Sequence, residues 1–140
     1  MIKFVLGPKG SGKTKWLIDG ANLDKKEGHG NIVFVDTDDS HIFSLDHSVR
    51  LVNANDFGIS TPDEFYAFLC GIVSRDFDIE KIYVDGIYEI LEFTNEELSR
   101  FEERLLGISE KYEVTFLIGL NKSSEELKGV IKGTPVELEA

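Results

Sequence analysis

Sulfur and positive charge are both scarce in this chain. Cys70 is its only cysteine, so no internal disulfide can form and a reducing compartment is expected. The thiol sits among Phe65, Phe68, Leu69, Ile72 and Val73, a setting that suits packing better than catalysis. Against 26 Asp and Glu stand 15 Lys and Arg, a formal net charge of −11. General affinity for nucleic acid depends on cationic side chains neutralising phosphates, and this balance runs against it. No long apolar run, internal repeat or low-complexity linker is present, and no signal sequence or transit peptide is expected. The expectation is therefore a cytoplasmic protein without a membrane span.

What the chain does have begins near its start. The octapeptide Gly7-Pro8-Lys9-Gly10-Ser11-Gly12-Lys13-Thr14 fits G-x-x-x-x-G-K-[ST] at every fixed position, directly after the apolar run Ile2-Lys3-Phe4-Val5-Leu6. A chain that wraps a triphosphate must bring several backbone N–H groups to anionic oxygens, and glycines at 7, 10 and 12 permit that approach. A helix starting near Lys13 would aim its positive end at the same phosphates. Lys13, expected at the exposed strand end and not in the core, would reach the β- and γ-phosphates, and the Thr14 hydroxyl would take a place on Mg²⁺. A plain glycine-rich turn would have no use for a Lys-Thr pair at the helix start. Lys9 lies within the loop, with solvent as its expected surroundings.

The 140-residue chain, 41% apolar, reads as one domain spanning 1–140. Residues 13 to about 26 have helical spacing, and 31–36 form a nearly continuous apolar run suited to a strand buried on both faces. Segment 37–48 is polar loop, and 49–53 is extended, either an edge strand or a return path. Ser60 or Thr61 caps the next helix, with Pro62 in its first turn. A third buried strand falls in 79–85, and Thr94 with Glu97 forms a capping box for a helix carrying Leu98, Phe101, Leu105 and Ile108. Strands at 114–118 and 136–138, with a short helix capped by Ser123 and Glu126 between them, complete the series. Alternating strands and helices imply right-handed crossovers, a parallel sheet covered on both faces, and ligands at the strand C-terminal ends.

Lys81-Ile82-Tyr83-Val84-Asp85 ends one such strand in a carboxylate. Together with the glycine-rich loop, it makes the chain resemble the P-loop NTPases, specifically the division with an extra strand between the Walker A and Walker B strands, to which the RecA-like and AAA-type ATPases belong. The resemblance implies an α/β three-layer sandwich with a mostly parallel five-stranded sheet in the order 5-1-4-3-2. It also implies ATP and Mg²⁺ as cofactors, with Asp85 on the metal directly or through water. Many members place a glutamate after the Walker B aspartate, where this chain has Gly86. That departure argues against rapid hydrolysis. Other members take the water-orienting acid from a neighbouring strand; Asp38 and Glu89 are the leading candidates here, with Asp36 and Asp39 behind them.

Asn121 stands where the family often has a polar residue near the γ-phosphate, although a polar turn explains it equally well. Asn121-Lys122 also begins the guanine-reading N-K-x-D pattern, but position 124 is Ser, which favours ATP over GTP. Histidines 29, 41 and 47, near Asp38, Asp39 and Asp46, match no strong zinc spacing, so Mg²⁺ with nucleotide is the expected metal chemistry.

Three function classes remain open. A slow ATPase coupled to a conformational or partner switch leads, followed by a nucleotide-binding regulatory module with little turnover. A small-molecule kinase would use the same loop but needs a basic lid. Only four arginines occur, at 50, 75, 100 and 104, and no insertion offers an obvious lid. An arginine from a protein partner or a second copy would complete an ATPase site, with Arg100 and Arg104 as candidates on the capped helix.

Overall fold

The computed structural model describes residues 1–28 and 30–139. Its sheet contains β1 (Ile2–Leu6), β2 (Asn31–Asp36), β3 (Arg50–Asn53), β4 (Ile79–Val84), β5 (Thr115–Leu120) and β6 (Thr134–Glu137). The helices are α1 (Lys13–Lys26), α2 (Pro62–Arg75) and α3 (Asn95–Tyr112). Every strand pairing is parallel, and the order is β3-β2-β4-β5-β1-β6. The five-stranded expectation is corrected: there are six strands, in the order 3-2-4-5-1-6. The difference arises at Arg50–Asn53, which joins β2 as an edge strand in register from Val33↔Arg50 to Asp36↔Asn53.

Alternation along the strands feeds two cores. Phe4 and Leu6, Val33 and Val35, Ile82 and Val84, and Phe116 and Ile118 face α2 and α3. Val5, Ile32, Phe34, Tyr83 and Leu117 face α1 through Leu17, Ile18 and Ala21. The connection from β1 to β2 runs one way along the sheet, whereas those from β3 to β4 and from β4 to β5 run the other way. With right-handed crossovers, opposite directions put the helices on opposite faces. The result is three layers with central strands buried on both sides.

Local signals explain the helix boundaries. Thr61 caps α2, accepting from the Glu64 N–H, with Pro62 in the first turn. Thr94 and Glu97 form the full capping box of α3. The Phe65 and Phe101 rings stack at 5.5 Å between centroids, joining α2 to α3. Segment 124–130 forms turns where a short helix was expected. The Ser123 hydroxyl still accepts from the Glu126 N–H, but Gly129, at φ 78°, stops the segment before it can offset the cost of nucleating a helix.

Two buried carboxylates tie distant elements together. Glu102 of α3 accepts from the N–H groups of Lys132 and Gly133, fixing the approach to β6. Asp24 of α1 accepts from the Tyr83 hydroxyl and from Lys81 Nζ, the latter at 3.0 Å. Burial and the neighbouring Asp24 push the Tyr83 phenol upward in pKa, keeping it a neutral donor. Among the described residues, no helix is long and apolar enough to cross a membrane.

Candidate functional site

Because every strand runs the same way, the residues just past their C-terminal ends gather along one edge of the sheet: Gly7 after β1, Thr37 after β2, Asp85 after β4 and Asn121 after β5. The glycine-rich segment turns from β1 into α1 along this edge. Gly7 lies at φ 151°, and a Cβ there would come within 2.6 Å of the Leu138 carbonyl oxygen, so a side chain is excluded. Its N–H donates to Lys122 O at 3.1 Å, anchoring the loop to the segment after β5. Pro8, Lys9, Gly10 and Gly12 are exposed, and Ser11 is half-buried with its hydroxyl oxygen lacking a hydrogen-bond partner.

Lys13 was expected at an exposed position, yet it is buried. Its ammonium folds back onto the loop, donating to Gly7 O at 2.6 Å and Pro8 O at 3.0 Å. It also lies 5.5 Å from the centre of the Tyr88 ring. Burial lowers its pKa, and the charge of Asp85 partly opposes that shift. Thr14 donates to Asp85 Oδ2 at 2.8 Å, and Asp85 Oδ1 is buried without a partner. Burial raises the Asp85 pKa, with Asp36 and Glu89 adding repulsion and the Thr14 bond and His41 opposing.

Lys13, Thr14 and Tyr88 border a cavity of about 660 Å³, whose walls also include Gly10, Gly12 and His41. Lys9 and Glu89 also line it, Glu89 from the single turn Ile87–Glu89. Asn121 does not; it is exposed beside a neighbouring depression of about 320 Å³ that shares Tyr88. Asp38 stands apart as well. It is exposed, and its Oδ1 accepts from both the N–H and the hydroxyl of Ser40, bonds that lower its pKa and mark it as a turn residue.

Asp36 holds the more central place. Val35 and Val84 pair in register across β2 and β4, and the Asp85 N–H donates to Val35 O at 2.9 Å, so the two strands end in adjacent buried aspartates. Asp36 accepts from the Thr37 N–H at 2.7 Å and lies 3.0 Å from His41 Nδ1. The symmetry of two apolar strands ending in Asp was visible in the sequence. His41 and Tyr88 carried no comparable signal, since both enter from irregular segments whose path depends on tertiary packing.

No protein-family model matches this chain, and no curated protein matches it. The remaining candidates are placed by geometry alone. His47 is exposed beside Asp46, and His29 lies outside the described residues. Arg104 is engaged within its own chain, 3.1 Å from Asp63 and 3.9 Å above the Tyr66 ring.

Gly86 has a structural reason to be glycine. It lies at φ 71°, and an added Cβ would stand 3.0 Å from the Thr37 hydroxyl oxygen. The backbone conformation and the close approach together disfavour a glutamate immediately after Asp85.

Proposed function

We propose that this chain is a single P-loop nucleotide-binding domain, cytoplasmic, that binds ATP with Mg²⁺ and hydrolyses it slowly, coupling turnover to a conformational or partner switch. The observation that carries the reading is the Thr14–Asp85 hydrogen bond at the base of the glycine-rich loop, beside a buried Lys13. The strand succession supports it: with the edge strand β3 set aside, β6-β1-β5-β4-β2 follows the order expected for the additional-strand P-loop division.

The donor set fits the cofactors. Asp85 Oδ1 and Ser11 Oγ are buried polar atoms without partners, beside a cavity bordered by cationic Lys13 and Lys15. Thr14 and Asp85 would hold Mg²⁺, a hard cation that takes oxygen ligands. When bound, Mg²⁺ supplies neutralisation of phosphate charge. Lys13 serves the phosphates with an ammonium that the Gly7 and Pro8 carbonyls keep at the loop. Glu89, which lines the cavity, would orient the attacking water.

A second reading, a regulatory nucleotide-binding module without significant turnover, is favoured by Gly86. Phosphate release measured with Mg·ATP as sole substrate separates the two. Release that disappears in Lys13→Ala supports the ATPase, whereas tight binding without release supports the module. Turnover only with an added phosphoryl acceptor would replace both with a kinase.

A further inference from the structure

We propose that Asp36, His41 and Asp85 form a binding site for one divalent first-row transition metal, filled without nucleotide. One potential ligand atom from each residue lies within 4.8 Å of the others, so a single ion between them can reach all three. His41 Nδ1 and Asp36 Oδ2 are 3.0 Å apart. Two ligands at about 2.1 Å from a metal and at right angles are separated by roughly 3 Å, so this spacing also suits a coordination edge.

The second observation is at Asp85. The residue is only 4% exposed, and its Oδ1 has no hydrogen-bond partner, an arrangement that costs stability unless something supplies positive charge. Its Oδ2 is already held by Thr14, and Asp36 Oδ1 is held by the Thr37 N–H. These bonds orient the carboxylates as outer-shell contacts do in metal sites. His41 is half-buried and lines the 660 Å³ cavity, which gives an ion a path from solvent.

The imidazole nitrogen sets the class of metal. Mg²⁺ prefers oxygen ligands and gives up water reluctantly, whereas Co²⁺ and Zn²⁺ accept nitrogen readily. By sequence spacing, His41 matches no strong zinc pattern beside Asp38 and Asp39. In the folded chain, its partners are instead the two aspartates that end β2 and β4. This site shares Asp85 with the proposed nucleotide site and depends on that reading in no other way.

Calorimetric titration of the full nucleotide-free chain with Co²⁺ alone, and separately with Mg²⁺, tests the proposal. One Co²⁺ per chain is expected, bound at least tenfold more tightly than Mg²⁺. His41→Ala should weaken Co²⁺ at least tenfold with the circular dichroism spectrum unchanged, and His47→Ala, at an exposed histidine outside the cluster, should leave Co²⁺ binding intact. Absence of one-to-one binding by the folded wild-type chain, equal affinities for Co²⁺ and Mg²⁺, or an unaltered His41→Ala titration would each overturn it. Co²⁺ binding by a chain that fails to bind an ATP analogue would retain the metal site and remove the nucleotide reading.

Discussion

Thr14 and Asp85, 71 positions apart in sequence, are joined by a 2.8 Å hydrogen bond between the first turn of α1 and the end of β4. This bond links the glycine-rich loop to the carboxylate edge of the sheet. It ties Thr14, which lines the same cavity as Lys13, to the buried carboxylate of Asp85.

Lys13 has a structural role besides its proposed work on phosphate. In Lys13→Ala the Gly7 and Pro8 carbonyls lose a charged donor, at a cost of about 1–2 kcal/mol. Denaturant unfolding should show that loss with the slope preserved, and the variant should not bind an ATP analogue. Full stability would show that the two bonds contribute nothing net.

Asp85 should make stability depend on pH with a definite sign. Its folded pKa is raised above the ordinary 3.8, chiefly by burial, so the folded state holds the proton more tightly than the unfolded state. The penalty is absent below the unfolded value and complete once pH passes the folded value, so stability falls as pH climbs through that window. In metal-free buffer, Asp85→Asn should therefore melt higher than wild type near neutrality. The gap should close as pH approaches 3.8. A gap independent of pH would assign the effect to something other than the carboxylate charge.

Gly86→Ala combines a left-handed backbone position with a Cβ 3.0 Å from the Thr37 hydroxyl oxygen. A loss of about 1–3 kcal/mol is expected in chemical denaturation. Gly86→Glu should be destabilised at least as much, and its phosphate release should not exceed that of wild type. Faster release in that variant would show that the loop can accommodate an acid there.

Thr94→Ala removes one half of the α3 capping box and should cost about 1 kcal/mol, read as a lower midpoint in urea. An unshifted midpoint would mean that tertiary packing alone holds the start of α3.

The elements that sequence made legible are those with local physical causes. The caps at Thr61 and Thr94 and the apolar runs of β2 and β4 follow from side-chain chemistry within a few residues. Arg50–Asn53 was ambiguous because a four-residue edge strand carries little periodicity, and only its register against β2 resolves it. At the site, Thr14 and Asp85 followed from motif and strand-end position. Asp38 was favoured over Asp36 because proximity in sequence cannot distinguish a carboxylate turned toward its own Ser40 from one turned toward a neighbouring strand. The burial of Lys13 is not legible in sequence, because its fold-back onto carbonyls depends on the three-dimensional path of the loop.

Calorimetric titration with a non-hydrolysable ATP analogue and Mg²⁺, alongside the GTP counterpart and Lys13→Ala, addresses the central claim most directly. The account predicts one site per chain, a preference for the ATP analogue and loss of binding in the variant. A folded wild-type chain that binds neither analogue, or a Lys13→Ala chain that binds as wild type does, would contradict it.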